Sequence, residues 1–411
     1  MENKLDWLVA GSIGMLAGAA FLRAQLDVGI SSYVLPVVIL MGTAGLRLTV
    51  FRQRIPRVVG HYAATWAALI GWLMISALWT QPGIDSQGEV LLLTGILATI
   101  LAALFSLTPS TFPKLVVVLM TVGVLVAGFV VFGYAQAGSL RGYGAIIAEN
   151  YLVTARVLGL GTVAACLSLF VRSKRPFYHW LLALLLLVAL AGALARGALL
   201  STLGILLLSG LFLSTRMTVG RRTIWTWLLS RMKKLSLGLG VFALIGAIVV
   251  AALQVERTAQ RLRRLISGSE LQTGGRGSLW MTSIENITDA PTLGYGLGSS
   301  GIMAGGHEGY YPHNLLLQVW LDGGVIAFVL LLGLIVFPFA LALWRLAQGR
   351  LASTNRWIIY LGLFLFLVLE YSKSIDFYSG RLLAVLGIVA VWAVWWYARP
   401  GDAASKSRRV L

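Results

Sequence analysis

Long apolar runs alternate with short polar punctuation along almost the whole chain. A bilayer-spanning helix needs roughly 20 predominantly apolar residues. Twelve runs of that kind are centred near residues 15, 38, 69, 98, 125, 160, 184, 206, 244, 329, 363 and 390. The pattern predicts an all-α polytopic integral membrane protein of about 12 transmembrane helices. Two neighbouring runs nearly fuse, parted only around "ALARGALL". No cleavage-site signature follows the first run, so it reads as a span and not as a removable signal peptide. No internal repeat or low-complexity tract breaks the series.

Connections are short with one exception, the 59 residues of 254–312. The expected organisation is N-terminal helices over 1–190, central helices over 191–253, a loop domain over 254–312, C-terminal helices over 313–398 and a tail over 399–411. A loop of this length is usually functional or disordered, and the apolar periodicity, Trp280 and several tyrosines argue against disorder. It opens with "VERTAQRLRRLISGSE". Arg257, Arg261 and Arg264 recur at i, i+4 and i+7, with Val255, Leu262 and Ile266 on another face. This is a basic amphipathic helix, suited either to lie on anionic headgroups or to receive a phosphate-bearing substrate. "GGRGSLWMTSIENITDAPTLGYGLGSSG" follows. It predicts a second short helix stopped by Pro291, then Gly294, Gly296 and Gly298, whose backbone can approach a ligand closely. It is not a Walker loop, because no Gly-Lys-Ser/Thr follows.

Composition sharpens the membrane reading. The chain is 58% hydrophobic and 12% charged, against about 45–50% and about 25% in soluble domains. Its net charge of +18 would suggest nucleic acid in a soluble protein, but hydropathy excludes that class. Loops facing the cytoplasm collect Lys and Arg. With the N-terminus inside, 22 of the 33 basic residues fall in inside segments and ten in outside ones, Arg156 lying within a helix. Both termini are therefore expected in the cytoplasm and 254–312 outside. The one cysteine, Cys166, says nothing about redox compartment.

Ionisable residues at or within spans are functional candidates. Arg196 stands between two runs that leave almost no loop, where it can snorkel or serve a site. Arg276 lies between glycines. Arg156 is inside a run, with Glu149 in sequence reach. Arg141 lies in "SLRGYGA", and Lys373, Asp376 and Arg381 in the last outside loop. Several arginines around one vestibule would suit a diphosphate, whose oxygens guanidinium forks match. His313 begins the run near 329, and Asn314, Gln318 and Asp322 follow at i, i+4 and i+8. That polar stripe faces a cavity or other helices, not lipid. His313 is a capping residue or a catalytic one, and the stripe and arginines favour catalysis. No metal motif is present; His307, Glu308 and His313 on a Gly-rich loop do not make one.

These residues resemble the shared C-terminal region of the O-antigen ligase and polymerase superfamily. The likeness rests on Arg276, Trp280, Pro291, Gly294, Gly296, His313, Asn314 and Gly323/Gly324, with Arg196 at the Arg-Gly-Ala entry to a helix, over roughly 190–345. The span count and single long late loop look most like the ligase. The resemblance implies a membrane glycosyltransferase C-like architecture. It implies transfer at the periplasmic face of a Gram-negative inner membrane, from an undecaprenyl-diphosphate-linked glycan to the lipid A-core oligosaccharide, with no metal or cofactor. Within that reading His313 is the general base and Arg196 and Arg276 meet the diphosphate. Arg141, Arg156, Arg257, Arg261, Arg264, Tyr311, Asn314 and Lys373 are expected to bind substrate. No carboxylate is placed as a nucleophile, so inversion is expected. An O-antigen polymerase and a lipid-linked oligosaccharide flippase are the rival readings.

Overall fold

A computed structural model describes residues 1–26, 31–51, 54–84, 86–137, 151–170, 176–193, 195–216, 276–306, 311–348, 355–374 and 376–398. Those residues are all-helical, with turns between. In chain order the α-helices are α1 (Glu2–Leu26), α2 (Ser31–Thr49), α3 (Arg57–Ser76), α4 (Gln87–Ser106), α5 (Thr111–Ala137), α6 (Tyr151–Phe170), α7 (Pro176–Gly192), α8 (Arg196–Arg216), α9 (Arg276–Asp289), α10 (Ser300–Met303), α11 (Leu315–Ala347), α12 (Trp357–Ser374) and α13 (Arg381–Tyr397).

Eleven of the twelve apolar runs coincide with a helix, and the run near 244 lies outside the described residues. Among the described residues seven helices are long and apolar enough to cross a membrane: α1 to α6 and α11. The apolar stretches of α7, α8 and α13 span fewer than 18 residues each. The 17 residues of α13 rise about 26 Å, short of the roughly 30 Å hydrocarbon layer. The basic helix expected over 255–270 lies outside the described residues.

The chain divides into two compact units, Met1–Leu115 with Arg263–Leu411, and Val116–Leu262. In the first, α13 is the core. Every residue from Leu382 to Val394 is buried, as expected of a helix apolar on all sides. It packs against α3, α4, α11 and α12.

One contact shows how a proline is accommodated there. Pro338 lies inside α11 and has no N–H to give the Leu334 carbonyl one turn back. An unpaired carbonyl is costly where water is absent. Tyr62 of α3 supplies the donor, its hydroxyl 3.0 Å from the Leu334 oxygen. A side chain at Gly387 of α13 would collide with that hydroxyl.

At one end of this unit, buried Asp6 of α1 gathers the ends of three helices. Arg47 of α2 donates to it at 2.6 Å and Lys114 of α5 at 2.7 Å. Thr108 and Thr111 add hydroxyls at 2.7 and 2.9 Å. In the second unit α6 packs on α7 and α8. Gly123 of α5 and Gly161 of α6 face each other so closely that a Cβ on Gly123 would stand 3.2 Å from the Gly161 Cα, the small-residue contact that lets membrane helices approach.

Candidate active site

The site is built at the opposite end of the first unit, where α11 begins. Asn314 is its N-cap, its side-chain oxygen accepting from the Leu316 and Leu317 N–H groups at 3.0 and 3.2 Å. His313, just before it, has φ 53°, the one positive φ among the described non-glycine residues. A left-handed residue turns the chain sharply into the helix, at a cost of roughly 1–2 kcal/mol. The imidazole packs against the Tyr311 ring with centroids 4.2 Å apart. Trp280 of α9 donates its indole N–H to the Pro312 carbonyl at 3.0 Å. Arg276, the first residue of α9, is exposed and close enough to act electrostatically on His313. Burial, and after it the Arg276 charge, hold the imidazole below its ordinary value. His313 is therefore neutral at neutral pH, with a ring nitrogen able to take a proton.

Below this entrance the polar stripe of α11 is fully engaged with protein. Gln318 and Asp322 are buried. The Gln318 amide donates to Asp376 at 2.5 Å and its oxygen accepts from the Phe377 N–H at 2.9 Å. Asp322 accepts the Ser300 N–H at 2.8 Å and the Tyr378 hydroxyl. Burial, then the Asp322 charge, push the Tyr378 phenol well above its ordinary value, so it stays a donor. Burial likewise raises the Asp376 carboxyl, against the pull of the Gln318 amide and the Tyr378 N–H. Of the two partners the stripe allowed, helices or a cavity, these residues face neighbouring backbone and side chains.

The glycine segment also finds a partner within the protein. α11 breaks at Gly324, whose φ is 67° and ψ −166°. The break frees carbonyls of the preceding turn, and residues from elsewhere take them up. The Tyr295 N–H donates to Leu321 at 2.7 Å, the Gly296 N–H to Asp322 at 3.1 Å, and the Trp72 indole to Gly323 at 2.7 Å. The Val325 N–H in turn reaches the Pro291 carbonyl at 2.9 Å. A Cβ on Gly294 would press on the Leu321 carbonyl, and one on Gly296 on Thr80. The close approach that Gly294 and Gly296 make is thus to α11 and to Thr80, just beyond α3.

The expected site residues fall into four groups. His313, Tyr311, Asn314 and Arg276 come together at the α9–α11 entrance. Lys373, near the end of α12, pairs with Glu370 at 2.7 Å. Arg381 lies over the Tyr33 ring, 5.6 Å from its centroid. In the second unit Arg156 is half-buried in α6, and Arg196 is the first residue of α8. Arg141, Glu149, Arg257, Arg261, Arg264, His307 and Glu308 lie outside the described residues. Sequence reasoning missed the parts of Trp280 and Tyr378. The Trp280 signal was available: it stands one helical turn from Arg276, on the same face. No group of three or more His, Cys, Asp or Glu poised to hold a metal occurs among the described residues.

Residues 181–332 match the family described as O-Antigen ligase. That stretch takes in most of α7, all of α8, α9 and α10, and the first half of α11. Comparison with curated proteins finds no match.

Proposed function

We propose, from the match of residues 181–332 to the O-antigen ligase family, that this protein transfers a glycan from undecaprenyl diphosphate to the lipid A-core oligosaccharide. The reaction runs at the periplasmic face of a Gram-negative inner membrane, in a fold of the membrane glycosyltransferase C type. The observation that carries the chemistry is His313: a neutral, half-buried imidazole at the head of α11, beside the Arg276 cation.

The imidazole takes the proton of the acceptor sugar hydroxyl as that oxygen attacks the anomeric carbon. The bond from that carbon to the diphosphate oxygen breaks, and the lipid diphosphate leaves with the electron pair. Attack from the face opposite the leaving group inverts the centre. Arg276 meets the charge that develops on the diphosphate, since a preorganised cation stabilises charge without reorganising. Its place at the first turn of α9 adds the positive end of the helix dipole. Arg196 is given the same phosphate by the family resemblance, and that assignment rests on sequence. Tyr311 packs the base, and Asn314 fixes the helix it stands on.

The test is product formation in proteoliposomes with purified lipid-linked glycan and, separately, lipid A-core or a second lipid-linked glycan as acceptor. Transfer to lipid A-core is the expected result. Transfer only to the lipid-linked glycan would make the protein a polymerase. Glycan crossing the bilayer with no new glycosidic bond would make it a flippase.

A further inference from the structure

The hydrogen bond between Trp280 and Pro312 lies outside the chemistry just described, yet it joins the two elements that carry it. Pro312 is buried, and its carbonyl needs a donor. In a regular helix that donor would be the N–H four residues on, at Leu316. Here the Asn314 cap has taken the Leu316 N–H, and His313 has turned the chain away with φ 53°. The Trp280 indole fills the gap at 3.0 Å.

Trp280 is placed on α9 to do more than satisfy a carbonyl. Residues i and i+4 share one face of a helix, so Arg276 and Trp280 project from the same side of α9. A bond from Trp280 to the residue just before His313 therefore sets how far the Arg276 guanidinium stands from the imidazole. We infer that Trp280 is a positioning residue, its indole N–H clamping α9 to the entrance of α11 so that Arg276 and His313 keep a fixed separation. This rests on the proposed reading of His313 as base and Arg276 as diphosphate cation. It adds a residue that touches no substrate and acts through both.

The experiment compares the wild-type chain with Trp280→Phe, which keeps an aromatic ring and removes the N–H. The first readout is the titration of the His313 imidazole by NMR in detergent micelles, assigned by its loss in His313→Asn. In Trp280→Phe the Arg276 cation is no longer held close, so the imidazolium is less disfavoured and the midpoint moves up toward the ordinary histidine value. The second readout is transfer. The loss of one neutral hydrogen bond is worth roughly a 2- to 10-fold change. It is expected in kcat with the donor KM little altered, and the acid limb of the pH profile moves up with the imidazole. An unmoved His313 midpoint in a Trp280→Phe protein of unchanged melting temperature overturns the inference, whatever happens to kcat. A variant that melts early is judged on the double substitution: with Arg276→Gln already present, adding Trp280→Phe should leave the His313 midpoint where it was, and a further shift overturns the clamp. Failure of the catalytic reading is a separate result. There His313→Asn would still transfer glycan, while the titration shift stood.

Discussion

Gln318 and Asp376, 58 positions apart in sequence, meet through a 2.5 Å hydrogen bond that closes the polar stripe of α11 against the turn before α13. The same Gln318 side chain accepts the Phe377 N–H, so one amide satisfies two groups at once. Gln318→Leu fills the same space and satisfies neither. Each buried group left unpaired costs about 1–3 kcal/mol. The variant should melt several degrees lower in detergent, and Gln318→Glu, which sets a carboxyl against Asp376, should do no better. A Gln318→Leu protein with the wild-type melting temperature would mean that water replaces the amide.

Gly324 should tolerate no side chain. Its φ of 67° is left-handed, and a Cβ there would run into the Thr292 carbonyl. Strain of about 1–2 kcal/mol comes in addition to the clash, so Gly324→Ala should unseat residues 291–298 from the break in α11. Faster proteolysis between 276 and 306, with the rest of the helices intact, is the expected pattern.

His313→Asn is the informative substitution at the base. Asparagine accepts a left-handed backbone more readily than alanine does, so the turn into α11 survives while the imidazole is lost. Loss of a general base typically costs about 10²–10⁴ in rate. Transfer should fall by that amount while the lipid-linked donor still binds; near wild-type turnover would make His313 a helix-entry residue only. With His313 as the proposed base, the neutral imidazole is the active form. Because its folded value is lowered, activity should persist below the ordinary histidine value of about 6.5 and fall only as pH drops through the lowered one.

Arg276→Lys keeps the charge and loses the planar fork that matches phosphate oxygens. Its turnover should drop, and Arg196→Ala should drop with it if both serve the diphosphate. The Arg257, Arg261 and Arg264 face should affect lipid engagement more than turnover, and its contribution should weaken as salt rises. A salt-independent defect would assign that face a structural part.

The membrane orientation can be tested from the two ends of α4. With Cys166→Ser as background, Gln81→Cys should react with an impermeant thiol reagent from the periplasm. Ser110→Cys, beside the Asp6 cluster, should react only once the inner membrane is opened. The reverse pattern would invert the proposed topology.

Much of this was legible in the sequence because apolar periodicity survives into any packed helix. The runs near 15, 38, 69 and 98 became α1 to α4. Asn314 caps α11, as a polar residue ahead of an apolar run should. The Gln318 and Asp322 stripe turned inward. The break at Gly324 was hidden, since Gly323–Gly324 inside an apolar run reads as continuous helix. What makes a break there tolerable are donors from Trp72, Tyr295 and Gly296, and no local pattern announces a partner 251 residues away. Span lengths were hidden for a related reason: α13 is wrapped by other helices and need not match the bilayer thickness. The glycines after Pro291 were legible as a site of close approach, but their partner was not.

Tyr62, Pro338 and Gly387 stand on three different helices, yet each is intelligible only through the others. A relative with an ordinary residue in place of Pro338 would have no orphaned carbonyl at 334. It would gain nothing from a phenol at 62 and would be free to carry a larger side chain at 387. The three positions should accordingly drift as a set among homologous chains, so that exchanging any one alone between two such chains is harmful where exchanging all three is not.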